Sequence, residues 1–170
     1  THTPSSTDVA QDGNKSYVQS EGIAQGSILS ALLCSLYYGH LEATHLHALP
    51  LHGHTAAEPG LLLRFIDDFL YLTPNRAHAI EFTQRMYQGF ADYGCTVNKK
   101  KTLINFELAI DGFLVPQVPT RADGKSLVPW CGWLIDTRCL EIEGDYSRYQ
   151  ANCMCMCTAL GLIMYLRRYW

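Results

Sequence analysis

Two adjacent aspartates, Asp67 and Asp68, interrupt the apolar stretch that runs from Leu61 to Leu72. Leu61-Leu62-Leu63-Arg64-Phe65-Ile66 precedes them and Phe69-Leu70-Tyr71-Leu72 follows. Two β-prone runs flanking a polar pair read as a strand, a tight turn and a second strand, with the carboxylates at the tip. Runs this apolar belong inside a domain, so the pair is carried on a rigid, buried hairpin. Like charges held side by side repel, and the repulsion falls away when a divalent cation sits between them. Hard carboxylate oxygens that leave room for water and phosphates suit Mg²⁺. Such a pair can serve a two-metal phosphoryl transfer, one ion activating a hydroxyl and the other steadying the leaving oxygens. The plainer reading is an ordinary hairpin whose Asp residues favour the turn backbone. The neighbouring stretches decide between the two.

A chain of 170 residues suits one domain or a piece of a larger protein. With 48% apolar and 17% charged residues it can build a core, which excludes a disordered chain. The net charge of −3 gives no global basic field, so any nucleic-acid contact must come from local clusters such as Lys99-Lys100-Lys101. Seven scattered cysteines do not form a secretory framework and point to a reducing compartment. Thr1 to Ser20 lacks the apolar core of a signal peptide. Ala159 to Leu166 is too short to span a bilayer, so no membrane partner is expected. The absence of an initiator Met suits a fragment of a soluble, intracellular protein.

Along the chain, Thr1 to Lys15 reads as a loop and Ser16 to Gln19 as a short strand. Ile28, Leu29, Leu32, Leu33, Leu36 and Tyr37 recur at helical spacing, predicting a buried helix over 28–38 with Ser27 as N-cap and Gly39 as stop. The Gln25-Gly26-Ser27 loop ahead of it lets backbone approach a ligand closely, with the positive helix end near any phosphate. His40 to Gly60 holds five histidines without a ligand set at zinc spacing, and reads as a solvated linker. Thr73-Pro74 is expected to open a second helix, with Ala79, Ile80, Thr83, Met86, Tyr87 and Phe90 inward and Gly94 at its end. Strands follow at Cys95–Val97 and Leu103–Phe106, with the lysine triplet between them placed to meet a triphosphate or a nucleic-acid backbone, or simply solvated. Phe113–Val115 reads as a strand, and Leu127–Ile135 as a longer one interrupted by Pro129 and Gly132. Asp136-Thr137-Arg138 turns into Leu140-Glu141-Ile142. Trp130-Cys131-Gly132-Trp133 could stack on a nucleic-acid end or pack in the core. Cys153, Cys155 and Cys157 alternate with Met, without a second ligand pair at zinc spacing.

Considered together, these pieces resemble the reverse-transcriptase domain of telomerase. Lys15 to Gln19, Gly22 to Ser30 and Leu32 to Leu36 are similar to that family's motif B. Leu61 to Pro74 resembles motif C, with Asp67-Asp68 as its catalytic pair. Tyr93 to Asn98 through Lys101-Thr102 and Asn105-Phe106 resembles motif D, and Pro129 to Gly132 through Asp136-Thr137-Arg138 resembles motif E, the primer grip. The likeness runs from about Lys15 to Tyr149 in the family's order.

The resemblance implies an α+β fold: a reverse-transcriptase palm, a small antiparallel sheet backed by helices, here incomplete. Residues 1–150 would form part of that domain and 151–170 an atypical tail. Asp67 and Asp68 would be catalytic and hold Mg²⁺, Asp67 as the stronger ligand. Gln25, Gly26, Ser27 and Lys101 would meet the incoming nucleotide and template, and Trp130, Cys131 and Gly132 the primer's 3′ end. The implied function is RNA-directed DNA synthesis that extends chromosome ends from an internal RNA template. Its partners would be a telomerase RNA subunit, a telomeric DNA primer and deoxynucleoside triphosphates, in the nucleus at telomeres. A retroelement reverse transcriptase and a truncated, non-catalytic nucleic-acid-binding isoform are the alternatives. The family's third aspartate, in motif A, precedes everything present here. Its strand should neighbour the hairpin, so an open sheet edge and a poorly ordered tail over 150–170 are expected.

Overall fold

A computed structural model describes residues 9–12, 15–18, 28–51, 59–146 and 161–165. Gln25, Gly26 and Ser27, the histidines at 52 and 54, and Cys153, Cys155 and Cys157 lie outside the described residues. The chain divides into two units, Thr1–His40 and Leu41–Trp170.

In the first unit, β1 (Val9–Asp12) pairs antiparallel with β2 (Lys15–Val18), Val9 opposite Val18 and Asp12 opposite Lys15. β1 falls where a loop is expected. Its mixed composition shows no period, and pairing rather than propensity makes it a strand. Helix α1 (Ser30–His45) starts in this unit. The buried face expected there is open instead: Leu29, Leu32, Leu36 and Tyr37 are exposed, and Ile28, just ahead of the helix, is 98% exposed. Spacing tells which side chains share a face, not what covers it.

Gly39 does not stop α1. A glycine inside a helix costs about 1 kcal/mol relative to alanine, and the burial of Leu41 and Leu46 further along outweighs that. The linker expected over 40–60 is therefore partly helix, and Leu49 and Leu51 are buried beyond it. The histidine-rich composition hid four well-spaced leucines.

The second unit is built on β3 (Leu61–Phe65) and β4 (Asp68–Thr73), antiparallel with Leu61 opposite Leu72 and Phe65 opposite Asp68. Gly60 leads in because the backbone passes too close for a side chain: a Cβ there would lie 1.9 Å from the Pro50 carbonyl oxygen. Helix α2 (Arg76–Gln88) starts two residues later than Thr73-Pro74 suggests. Its cap is Asn75, whose Oδ1 accepts from the Ala77 N–H at 2.9 Å. Thr73 ends β4 instead, its hydroxyl donating to Pro59 O at 3.3 Å and accepting from Asn75 N at 3.1 Å. Ala79, Phe82, Thr83 and Met86 form the buried face of α2, while Ile80 and Tyr87 are half-buried. Gly89, at φ 74°, ends the helix; Gly94 closes the short 3-10 turn Ala91–Tyr93.

Beyond it come β5 (Leu103–Ile104), β6 (Ala109–Ile110), β7 (Phe113–Leu114), β8 (Leu127–Trp130), β9 (Trp133–Asp136), β10 (Ile142–Gly144) and β11 (Gly161–Tyr165). Cys95 makes only an isolated bridge to Phe90, so the strand expected at 95–97 does not form. The single long strand expected over 127–135 is a hairpin, β8 and β9, with Cys131 and Gly132 as its turn. β10 adds to β9, making a three-stranded antiparallel sheet.

The four-stranded sheet has the order β3-β4-β11-β5 and is mixed rather than wholly antiparallel, because β11 runs parallel to both neighbours. The edge of β4 expected to stand open is therefore filled by the tail. Successive residues of β4 face opposite ways. Tyr71 stacks on Phe82 of α2, ring centroids 4.6 Å apart. Leu70 joins Val118, Val128 and Ile135 in a core that Leu72, Leu103 and Trp130 flank. One face of the sheet thus takes helix α2 and the other the β8–β9 hairpin. Two helices with small sheets make the fold α+β.

Candidate active site

The two aspartates are neighbours in sequence but not in environment. Ile66 and Asp67 are the two central residues of the β3–β4 turn, and Asp68 is the first residue of β4. Asp67 is half-buried; Asp68 is 2% exposed. Asp67 thus belongs to the turn and Asp68 to the strand that follows it. Asp68 shares its face of β4 with Leu70, so it points to the side that the β8–β9 hairpin covers.

Ile66 has φ 57°, a left-handed conformation that a β-branched residue rarely adopts. Positive φ at the first central position alone is the pattern of a II′ turn, which matches the twist of its strands. Arg64 holds it in place: its Nη1 donates to Ile66 O at 3.0 Å, and its Nε pairs with Glu42 of α1. The sequence reading gives neither Arg64 nor Glu42 a role. The available signal was a single charge inside an otherwise apolar strand.

The primer-grip candidates form the other turn. Trp130 and Trp133 close the β8–β9 hairpin, and the two residues between them, Cys131 at φ 49° and Gly132 at φ 85°, both have positive φ, the I′ pattern. Cys131 Sγ donates to Asp68 Oδ2 at 3.8 Å, so the structure brings this turn onto the Asp68 carboxylate. Gly132 O accepts from Asp145 N at 2.9 Å, fixing the turn from behind. Trp130 packs against the core, and its indole N–H is buried without an acceptor among the described residues. Trp133 is exposed, leaving one aromatic face for a ligand. At the far end of β9, Asp136 accepts from Arg138 N at 2.7 Å and Cys139 N at 3.2 Å. The Arg138 amide above all holds its carboxyl below the usual carboxylate range, against the opposing effect of burial.

The lysine triplet lies on a turn organised by Asn98. Its carbonyl accepts from Lys101 N at 3.0 Å and Thr102 N at 3.1 Å, and its Oδ1 from Lys100 N at 3.1 Å. The three lysines differ. Lys99 stands over the Tyr87 ring, 5.5 Å from its centroid, Lys100 is exposed, and Lys101 is half-buried. Leu70, Leu162 and Leu103 are level across β4, β11 and β5. Two residues before Leu70 is Asp68, and two before Leu103 is Lys101. Both thus precede the same end of the sheet, Asp68 at the head of β4 and Lys101 on the turn that leads into β5.

The donor set suits a hard cation, since Asp67 and Asp68 offer carboxylate oxygens. Among the described residues, no group of three or more His, Cys, Asp or Glu is arranged to hold a metal. No helix among the described residues is long and apolar enough to cross a membrane.

The sequence family described as reverse transcriptase (RNA-dependent DNA polymerase) matches residues 5–131, a span that takes in both aspartates and Lys101. The chain is 43% identical over 141 residues to the telomerase reverse transcriptase of Canis lupus familiaris, covering 83% of this chain and 12% of that protein. It is 47% identical over 133 residues to the one from Rattus norvegicus, covering 78% and 11%. With the one from Oryza sativa subsp. japonica it shares 45% over 143 residues, covering 81% and 11%. The chain thus spans about one eighth of the length of these curated relatives. A match over so much of its own length places the chain in one family: it belongs to the reverse transcriptases, the RNA-dependent DNA polymerases, and the relatives it resembles there are those of telomerase.

Proposed function

We propose that this chain is the part of a telomerase-type RNA-directed DNA polymerase that carries two of its catalytic carboxylates, its triphosphate lysine and its primer grip. The observation that carries the reading is the meeting of the Cys131-Gly132 turn with Asp68, since a primer end held at one must lie beside the other. Residues 1–150 form the polymerase part and 151–170 a tail whose one described strand, β11, completes the sheet.

The reaction is attack of a primer 3′-hydroxyl on the α-phosphorus of a deoxynucleoside triphosphate, with pyrophosphate leaving. A divalent cation, which we propose to be Mg²⁺, would be held by Asp67 and Asp68 with a further ligand, and would supply charge neutralisation at the attacking and leaving oxygens. Asp67, in the turn, is the more open of the pair, which supports its assignment as the stronger ligand. Lys101, on the turn that leads into β5, would meet the β- and γ-phosphates through its ammonium. Gln25, Gly26 and Ser27 would line the nucleotide and template side. Trp130, Cys131 and Gly132 would hold the primer end, with exposed Trp133 offering an aromatic face to it. The template would be an RNA subunit, the primer a telomeric DNA end, and the place of action the nucleus. The identities with telomerase proteins of animals and a plant favour this over a retroelement enzyme.

The test uses the full-length protein with its RNA. Asp67→Ala and Asp68→Ala should each cut primer extension to below about one hundredth while RNA binding survives. Extension at near-normal rate by either variant overturns the reading.

A further inference from the structure

We propose that Cys131 is a positioning residue for Asp68, setting the orientation of that carboxylate through its thiol. The inference rests on the reading of Asp68 as a cation ligand. A I′ turn needs positive φ at both central residues, and Asn-Gly, Asp-Gly or Gly-Gly supply it at least cost. Cys131 occupies the first of these positions at φ 49°, so local turn chemistry does not account for a cysteine there. Its Sγ, 3.8 Å from Asp68 Oδ2, does. Asp68 is almost fully buried at the head of β4, where a carboxylate free to rotate would present a cation with a variable donor.

The choice of a thiol follows from what the carboxylate must do. Lys or Arg at this place would neutralise Asp68 and compete with a cation for it. A thiol is a weak donor and brings no charge, so it fixes one oxygen and leaves the negative charge available. The turn that carries the thiol is itself fixed. Its two flanking strands end in the core through Val128 and Ile135, the core that Leu70 of β4 shares, and Asp145 N holds the Gly132 carbonyl. The same turn is assigned to the primer end. Cys131 therefore couples the placement of the primer to the placement of the metal-holding carboxylate. Groups that orient a metal's ligands in this way change metal affinity by about 10- to 100-fold when removed.

The test is Mn²⁺ binding to the full-length protein, read from the electron paramagnetic resonance of free Mn²⁺, together with its thermal melting. Cys131→Ala and Cys131→Gly should weaken Mn²⁺ binding about tenfold, and Cys131→Ser, which keeps a donor, should stay within about twofold of the parent. The glycine variant relieves the strained φ, so it should melt no lower than the parent while still losing affinity. A residue that only shapes the turn would give the opposite result. In the full-length enzyme the same two losses should appear as a raised Mn²⁺ requirement for primer extension. Unchanged Mn²⁺ binding in a folded Cys131→Gly, with binding lost in Asp68→Asn, overturns the role of Cys131 alone. Unchanged binding in Asp68→Asn overturns the assignment of Asp68 as a ligand, and this inference with it.

Discussion

Tyr71 is fully buried with its ring stacked on Phe82, and its hydroxyl has no hydrogen-bond partner among the described residues. Burial pushes its pKa up to about 12, against a smaller lowering from the neighbouring Thr73 hydroxyl. An unsatisfied buried polar group destabilises, so Tyr71→Phe should raise the unfolding free energy by about 1 kcal/mol in a denaturant titration. A loss of stability would show that the hydroxyl has a partner after all. Asp136 gives a prediction of pH dependence. Its folded pKa lies below the ordinary 3.8, so its stabilisation is complete above the unfolded value and is lost as pH falls through the folded one. The melting difference between the parent and Asp136→Ala should therefore be full at neutral pH and shrink well below pH 3.8. A constant difference would mean that the charge on Asp136 contributes nothing. Neither residue was legible as special in the sequence. Tyr71 looked like one more strand residue, and Asp136 like a turn former, because satisfaction of a hydroxyl or carboxylate depends on groups far along the chain.

The elements that hold the site were read more successfully than their edges. The β3–β4 hairpin follows from two apolar runs and a polar pair, and the structure has it with Phe65 opposite Asp68. Of the α2 face, Ala79, Thr83 and Met86 are legible, but Phe82, which stacks on Tyr71, is not, and Phe90 lies beyond the helix. The β8–β9 hairpin is not legible in the sequence, because Gly132 reads as an interruption of one strand and no composition rule places Cys at a positive-φ turn. Similarly, Gly13-Asn14 between Asp12 and Lys15 is a hairpin signal that went unused, although β1 and β2 flank it. The lysine turn carries an element-level prediction. Lys101 sits on the turn leading into β5, at the end of the sheet where Asp68 heads β4, while Lys99 stands over Tyr87. In the full-length enzyme Lys101→Ala should slow nucleotide incorporation and weaken apparent nucleotide affinity, with primer affinity little changed. Lys99→Ala should leave both nearly intact. Equal, small effects from the two would point to a solvated basic turn.

At the scale of the whole molecule, one strand from the tail decides how the main sheet is closed. β11 is the only described link between β4 and β5 in that sheet, so it ties the aspartate hairpin to the strand that follows the lysine turn. Removing residues 161–165 should leave two apolar edges unpaired. A chain ending at residue 160 should melt less cooperatively than the 170-residue chain and aggregate at lower concentration, by light scattering. Equal behaviour of the two would mean that β11 adds nothing to the sheet. The 170-residue chain should itself show no primer extension with Mg²⁺, since no described group of three ligands can hold the ion. Extension by it would move the catalytic centre elsewhere. The order of synthesis gives β11 a further meaning. Chains are made at about 5–20 residues per second, so the aspartate hairpin waits roughly 5–20 s for β11, some ninety residues later, to leave the ribosome. During that wait the growing chain carries a bare strand edge beside its most valuable carboxylates, and whatever shields it in those seconds governs how much protein reaches the finished sheet.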